Sequence, residues 1–395
     1  MKKCTWCLVA TSLCFGAIAE NGDVATESTV SANEINKQYS NQTISNRFDV
    51  AAKKIAGIGF EKSDNSEFQK YSEFIDESWN KLYRESLGHI PSWTEKYLKS
   101  FIKQYDTLFY PFGGPDISYA INFFPDAKRY ILVGLEPLGD FDQIEKNLTD
   151  PRYYHSIQTA FSTYLKMGYF ITSQMLYQLS VPTAKGGLNL ILLALKKLEF
   201  NVLEINNCSI DANGDITNTA ASENISCVKI VCEKNSKKKE IYYVRTNLGN
   251  ENSKLNNLIK FVHKFKFSTF IKSSSYALHD RNFTNIRSFI LNDTRCILQD
   301  DTGVPFNFFR QNWDIHIFGT YEKPTLTIFR SYKQNSLSDY YLNNNAEPIP
   351  FPIGYGYAKR TPNLVFAVSL KKKVEEQLSE LRRQLKKKKC NCSNS

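Results

Sequence analysis

The segment Tyr105–Asp140 constrains the fold of this chain more than any other. Its sequence, YDTLFYPFGGPDISYAINFFPDAKRYILVGLEPLGD, predicts an apolar strand over Leu108–Phe112, a glycine turn, a helix over Ile117–Phe124 and a second strand over Tyr130–Leu135. This order is typical of a nucleotide-binding βαβ unit, in which glycines let the backbone approach a ligand. We therefore expect an α/β fold with a Rossmann-like, mainly parallel sheet.

The turn and the end of the second strand supply candidate ligand-binding residues. Gly113, Gly114 and Asp116 form the turn, and the helix that follows offers free N–H groups. Glu136 lies where such folds place a carboxylate for a ribose hydroxyl. A structural interpretation is equally open, because a GGPD sequence also suits a tight turn whose aspartate caps the helix.

Later segments continue the alternation of strands and helices. Apolar strands are predicted over Phe267–Lys272 and Thr294–Gln299, followed by strands over Trp313–Tyr321 and Leu364–Leu370. Alternation of this kind favours helices on both faces of the sheet, and the late strand–strand succession adds an antiparallel edge.

Asp300 and Asp301 follow the predicted strand Thr294–Gln299 directly. The carboxyl ends of parallel strands meet at one edge of a sheet, so these residues should lie near the glycine turn and Glu136. Their carboxylates could bind a hydroxylated ligand or a cation, or could hold the loop through Asx turns. We predict a pocket for a small polar ligand at this edge.

Three local patterns carry further expectations. The strands Cys227–Glu233 and Glu240–Thr246 form a predicted hairpin with its turn at Lys237–Lys239, and Thr325–Phe329 is a predicted strand. A helix is expected over Ser273–His279. Its serines and histidine suggest a catalytic triad region, but the G-x-S-x-G elbow is missing, which favours a histidine satisfied by a neighbour.

The amino-terminal residues predict export. Lys2 and Lys3 precede an apolar run, and Ala17-Ile18-Ala19 has the A-x-A pattern of a signal-peptide cleavage site before Glu20. The run is short for a membrane anchor, and no later run is long enough to span a bilayer. We expect a secreted or periplasmic chain.

Six of the nine cysteines lie beyond the predicted cleavage site. In an oxidising compartment Cys208 could pair with Cys227 or with Cys232 across a hairpin. Cys390 and Cys392 are poorly spaced for zinc and lack histidine neighbours, so no metal site is predicted.

The formal charge of +10 comes mainly from the two ends of the chain. The body is nearly neutral, so a nucleic-acid surface is not implied. Lys371–Lys389 contains nine basic and three acidic residues and carries an apolar seam at Val374, Leu378, Leu381 and Leu385. The seam suits a solvated terminal helix, a coiled coil or docking to a partner protein.

Several stretches together resemble a family of uncharacterised exported bacterial proteins. They are YPFGGPDISYAINFFPDAKRYILVGLEP, FIKSSSYALH, CILQDDTGVPFNFF, FGTYEKP and PIPFPIGYGY, and the likeness spans Trp79 to Leu370. The layout is also similar to class I S-adenosylmethionine-dependent methyltransferases. That similarity implies cofactor-loop positions for Gly113 and Gly114 and a ribose position for Glu136, although YPFGGPD replaces the usual acidic three-glycine loop.

These observations predict the following organisation: a signal peptide over 1–19, a disordered leader over 20–45, one α/β domain with a helical amino-terminal cover over 46–370, and a basic helical tail over 371–395. The leading functional hypothesis is an exported protein that binds a small polar ligand. The alternatives are a methyltransferase-like enzyme that uses S-adenosylmethionine, and an envelope protein that binds a partner through its carboxyl-terminal helix.

Overall fold

A ten-stranded mixed sheet forms the centre of the protein. Its strands are β1 Thr107–Tyr110, β2 Arg129–Gly134, β3 Asn201–Ile210, β4 Ile216–Thr217, β5 Ile225–Lys234, β6 Lys237–Arg245, β7 Phe267–Ile271, β8 Cys296–Gln299, β9 Trp313–Gly319 and β10 Asn363–Ser369.

The strand order across the sheet is β4-β3-β5-β6-β2-β1-β7-β8-β10-β9. The central strands β6-β2-β1-β7-β8 pair in parallel, whereas the pairs outside this group are antiparallel. The prediction of an α/β sheet is confirmed, but the expected parallel pairing is limited to the centre. Short connections explain part of the difference, because consecutive strands joined by tight turns, such as β5 and β6, can only pair antiparallel.

Helices flank the sheet. They are α1 over 47–55, α2 Ser66–Glu85, α3 Ile90–Tyr97, α4 Lys99–Ile102, α5 Ile117–Phe123, α6 Phe141–Asn147, α7 Pro151–Met167, α8 Leu188–Lys197, α9 Leu255–His263, α10 Thr284–Asp293, α11 Asn335–Asn343 and α12 over 370–375. Turns of 3₁₀ helix cover Leu87–His89, Ala277–His279, Arg281–Phe283, Phe306–Phe308 and Thr327–Tyr332.

The core has one hydrophobic layer on each face of the sheet. Leu108 and Tyr110 of β1 belong to the layer that packs under α2, α3, α5, α7 and α8. Phe109, between them, belongs to the opposite layer with α9 and α10. Alternate residues of a strand point to opposite faces, so a strand buried on both sides must be apolar throughout. This explains the continuous apolar run in β1.

Three local predictions fail, two of them where residues adopt left-handed backbone conformations. The β5–β6 hairpin turns at Asn235 and Ser236, both with positive φ, so Lys237–Lys239 lies in β6 and does not form the turn. Two consecutive positive φ angles define a type I′ turn, which matches the twist of the strands. Ser273–His279 is not a continuous helix, because three of its residues have positive φ, and Thr327–Tyr332 is a 3₁₀ turn where a strand was expected.

The computed structural model describes residues 47–59, 66–102, 105–167, 177–178, 184–219, 221–309, 311–324, 327–353, 362–375 and 377–378. The predicted signal peptide, the leader and most of the basic tail lie outside these residues, as do Cys390 and Cys392. Within the described ranges, no helix has the length and apolar content needed to cross a bilayer. Val374 and Leu378 of the predicted seam are about half exposed.

Cys208 and Cys227 face each other across the antiparallel pair of β3 and β5. Their Sγ atoms are 2.8 Å apart and both side chains are buried. Cys232 packs in the layer on the other face of the sheet, because it lies an odd number of residues along the strand from Cys227. The two pairings left open by the sequence therefore differ in geometry, and only Cys208–Cys227 is compatible with the fold.

We predict that oxidation joins Cys208 to Cys227. Thiol–disulfide exchange with oxidised glutathione should form the bond, and the closed loop should raise the free energy of unfolding by roughly 3 kcal/mol, since the crosslink restricts the unfolded chain. Alkylation and mass spectrometry of proteolytic fragments check the pairing, and urea unfolding checks the stability. Cys296→Ser is the matched control. A Cys208–Cys232 link, or no stability difference between Cys208→Ser and the oxidised wild type, would contradict this prediction.

Candidate functional site

The carboxyl ends of the parallel strands carry all six residues predicted to form a ligand site. Gly113, Gly114 and Asp116 follow β1, and Glu136 follows β2. Asp300 and Asp301 follow β8. All six are buried. β1 and β7 lie side by side at the point where the strand order reverses, which is where open α/β sheets bind ligands.

A buried ion pair occupies this switch point. The Lys272 ammonium, just beyond β7, lies 3.4 Å from Asp116 Oδ2, and both side chains are nearly inaccessible. The Tyr110 hydroxyl donates to Asp116 Oδ2 at 3.1 Å, and the Tyr164 hydroxyl donates to Oδ1 at 3.0 Å. The backbone N–H of Tyr119 also donates to Oδ1, so Asp116 caps α5. Asp116 therefore joins β1, α5, α7 and β7 through one carboxylate, and the predicted helix cap is present.

Asp300 extends this network toward β8. Its carboxylate accepts hydrogen bonds from the backbone N–H groups of Ser273 and Thr302 and from the Thr302 hydroxyl. Burial and the neighbouring charge of Asp301 raise the pKa of Asp300 to about 6. Burial lowers the pKa of Lys272, and the charges of Asp116 and Asp300 act against that shift.

Asp301 anchors the neighbouring loops. Its carboxylate accepts hydrogen bonds from the Tyr276 hydroxyl at 2.6 Å and from Asn363 Nδ2 at 3.1 Å. The Gln334 side chain donates to the backbone carbonyl of Asp301 at 2.7 Å. Asx-type bonding within the Asp300–Gly303 turn was one of the two interpretations of this sequence, and the bond from Thr302 N–H to Asp300 is of that type.

Glu136 lies against glycine backbone. A Cβ atom added to Gly134 would lie 2.3 Å from Glu136 Oε2, and one added to Gly114 would lie 3.3 Å from the same oxygen. Gly114 also has a φ of +54°, which side chains disfavour. Burial raises the pKa of the Tyr243 hydroxyl, and the neighbouring carboxylate of Glu136 raises it further. The two glycines therefore make room for the Glu136 carboxylate between β1 and β2.

Strained backbone is concentrated in two loops at this edge. Phe112 follows β1, while Ser273, Ser275 and Tyr276 follow β7, and all four have positive φ. Left-handed non-glycine residues cost free energy and persist where the surrounding structure requires them, often at functional sites.

An aromatic group adjoins the strained β7 loop. The Tyr276 ring stacks on Tyr332 with centroids 5.0 Å apart, and His279 packs edge-on against Tyr276. Burial, with a smaller contribution from Arg287, lowers the pKa of His279 to about 4, so its imidazole is neutral at pH 7. Within the described residues, His279 Nε2 is buried without a hydrogen-bond partner. The sequence predicted that His279 forms a hydrogen bond with a neighbouring group, and this is correct only for its hydrogen bond with the Gly303 backbone.

The structure thus brings the six predicted residues to one edge but divides them between two contacts. Asp116, Asp300 and Asp301 belong to the Lys272 network, and Gly113 lies against the ring of Tyr110 in the same network, whereas Gly114 and Glu136 form a separate contact. A search of the described residues for metal sites finds no group of three or more histidine, cysteine or carboxylate side chains suited to a metal ion.

Sequence reasoning missed four residues that shape this network: Lys272, Tyr110, Tyr164 and Tyr276. A lysine at the end of an apolar strand usually reaches solvent, and tyrosines on helices and strands usually serve packing. A signal was nevertheless present, because Lys272 ends a predicted strand at the same edge as four candidate carboxylates.

No family model, curated protein or solved structure matches the chain. The site must therefore be interpreted from its own geometry.

We predict that Asp300 makes folding less favourable as the pH rises from about 4 to about 6. The pKa of Asp300 is raised in the folded state. The bound proton therefore stabilises the fold fully at pH values below the pKa of the unfolded chain, and this stabilisation is lost as the pH rises through the pKa of the folded state. Between pH 4 and pH 7, the free energy of unfolding of Asp300→Asn should rise by roughly 2–3 kcal/mol relative to that of the wild type, as measured by urea unfolding. Asp339→Asn, at an exposed position on α11, is the control. Parallel pH profiles for wild type and Asp300→Asn would refute the prediction.

Proposed function

We propose that this chain is a small-molecule-binding protein on a methyltransferase-like scaffold, with its ligand at the carboxyl edge between β1, β2 and β7. The observation that carries the proposal is the buried Asp116–Lys272 pair at the switch point. A buried ion pair adds little to stability on balance, because desolvation offsets its attraction. Perturbed charges of this kind are enriched at functional sites.

The strand order supports the scaffold. Without the β3–β5 extension, the sheet reads β6-β2-β1-β7-β8-β10-β9. Numbered along the chain from β1, this is the order 3-2-1-4-5-7-6, with β10 antiparallel to both of its neighbours. Class I S-adenosylmethionine-dependent methyltransferases have the same order and the same reversed strand. Fold similarity alone does not assign an activity, so the proposed role is binding.

Gly114 and Glu136 fit a nucleoside ligand. Gly114 follows the first strand of this order, and Glu136 follows the second, where the related fold holds a ribose. A carboxylate such as that of Glu136 can accept hydrogen bonds from two hydroxyl groups, and the glycines beside it let it lie between β1 and β2. The Asp116–Lys272 pair departs from that fold, and it favours a ligand with both a charged and a hydroxylated part.

The ligand reaches this edge when the Thr327–Tyr332 turn moves. That turn contacts the site through the rings of Tyr332 and Phe329, which pack on Tyr276. Ile328 is 69% exposed, so the turn has solvent on its outer side. None of its six residues is buried, which is typical of segments that open locally. We place this role in an exported chain on the basis of the Met1–Ala19 pattern, and a mature amino terminus at Glu20 would test that placement.

S-adenosylmethionine, S-adenosylhomocysteine and adenosine are the first probes. At millimolar concentration, at least one should raise the melting temperature of the wild type by several degrees, because a ligand that binds only the folded state stabilises it by mass action. Glu136→Gln keeps the shape of the side chain but removes its charge, and it should lose most of this shift. Differential scanning fluorimetry and calorimetry provide the measurements.

Glu85→Gln is the matched control, because Glu85 is exposed at the end of α2 and far along the chain from the site. It should retain the full shift. If none of the three probes changes the melting temperature, the nucleoside assignment is wrong. If Glu136→Gln responds as strongly as the wild type, the ligand binds elsewhere.

A further inference from the structure

A second, open cleft lies at the opposite edge of the sheet, where the parallel strands begin. Its volume is about 620 Å³. Helix α2, the end of α8, the β5–β6 turn and the segment after α5 surround it. Small-molecule sites usually occupy clefts of this size. None of the six residues of the carboxyl edge lines this cleft, so it is a separate site.

The cleft carries an excess of positive charge, which Asp126 offsets in part at Lys239. Lysines 197, 234, 237 and 239 line it together with two carboxylates, Asp76 and Glu199. Both carboxylates are already paired, Asp76 with Lys197 and Glu199 with Lys234. In the part of the chain that the structure describes, no carboxylate forms a salt bridge with Lys237 or Lys239. Lys237 is exposed and can contact an anion directly, whereas Lys239 contributes only the attraction of a buried charge.

Lys239 is held rigidly at this cleft by neutral partners. Its ammonium donates to the carbonyl oxygens of Pro125 at 2.7 Å and Ala127 at 2.6 Å, and to the Tyr130 hydroxyl at 3.1 Å. The side chain is 8% exposed. Burial lowers its pKa to about 8, and the charge of Lys237 acts in the same direction. An anion in the cleft would relieve this unfavourable charge.

Part of the cleft wall is aromatic and apolar. Trp79 and Phe200 are buried and line it, and Ile121 and two prolines complete the apolar surface. Tyr83 is 45% exposed, and its ring packs closely on Gly88, where an added Cβ would lie 3.0 Å from the ring. A fixed, half-exposed ring next to lysines suits a flat ligand that carries a negative charge.

The backbone at the mouth of the cleft is preorganised. The type I′ turn at Asn235 and Ser236 sets the start of β6, and therefore the position of Lys237. Glu199 has a φ of 66° where α8 ends, and it also lines the cleft. Groups held in place before binding lose less entropy when a ligand arrives.

We propose that this cleft binds a small aromatic organic anion, with its acidic group toward Lys237 and Lys239 and its ring against Tyr83. The site combines a cavity of suitable volume, two lysines without carboxylate partners and a half-exposed aromatic ring. A neutral ligand of the same shape would lack the charge interaction and bind more weakly.

Titration calorimetry with 1-naphthoate tests the proposal on the full chain. The wild type should bind 1-naphthoate more tightly than naphthalene-1-carboxamide, its neutral counterpart. Lys237→Gln should weaken 1-naphthoate binding by about threefold to fivefold, as expected for a partly exposed charge contact. Lys238→Gln is the matched control, because Lys238 is exposed, carries the same charge and does not line the cleft.

Tyr83→Ala tests the aromatic contact and should weaken both compounds, whereas Tyr177→Ala, at an 81% exposed tyrosine, should leave both unchanged. Circular dichroism and melting temperatures of all variants establish that they fold. Equal affinity for the acid and the amide would overturn the proposal, as would equal effects of Lys237→Gln and Lys238→Gln. A lack of binding by 1-naphthoate at millimolar concentration would also overturn it. None of these results bears on Glu136, so this test and the nucleoside test fail independently.

Discussion

The ion pair between Asp116 and Lys272 is the interaction on which the carboxyl edge depends. One carboxylate caps α5, accepts from tyrosines of β1 and α7, and pairs with the lysine that follows β7. A buried charge that loses its partner costs several kcal/mol, so these four elements must assemble together. Asp300 and Asp301 adjoin this pair and accept hydrogen bonds from Thr302 and Asn363. The loop after β8 and strand β10 must therefore assemble together with these four elements.

The two edges of the sheet handle charge in opposite ways. At the carboxyl edge, carboxylates outnumber Lys272, and hydroxyl and backbone groups donate hydrogen bonds to them. At the amino edge, lysines outnumber carboxylates around an open cleft, and Lys239 relies on carbonyl oxygens. Burial shifts the pKa values of Asp300 and Lys239 in opposite directions for the same reason, since each shift favours the neutral form.

Sequence reasoning succeeded where structure is local and strongly patterned. The strands and helix of Tyr105–Asp140, and the strands before Asp300, follow from apolar runs bounded by glycine and aspartate, and the structure contains them within one or two residues. It failed at Ser273–His279 and at Lys237–Lys239, because serine, tyrosine and asparagine residues in or next to these segments have left-handed backbone. Such conformations leave little trace in composition, because these residue types also occur in ordinary turns.

The sequence by itself determined the α/β class and the placement of Asp116, Glu136, Asp300 and Asp301 at one edge, but it predicted a mainly parallel sheet where only the centre is parallel. Strand periodicity and the direction of parallel strands are sufficient for these conclusions. Only the tertiary structure decided that Lys272 pairs with Asp116, that Cys208 faces Cys227, and that an open lysine cleft lies at the amino edge. These contacts join residues that are far apart in the chain, and the packing of whole helices against the sheet sets their distances.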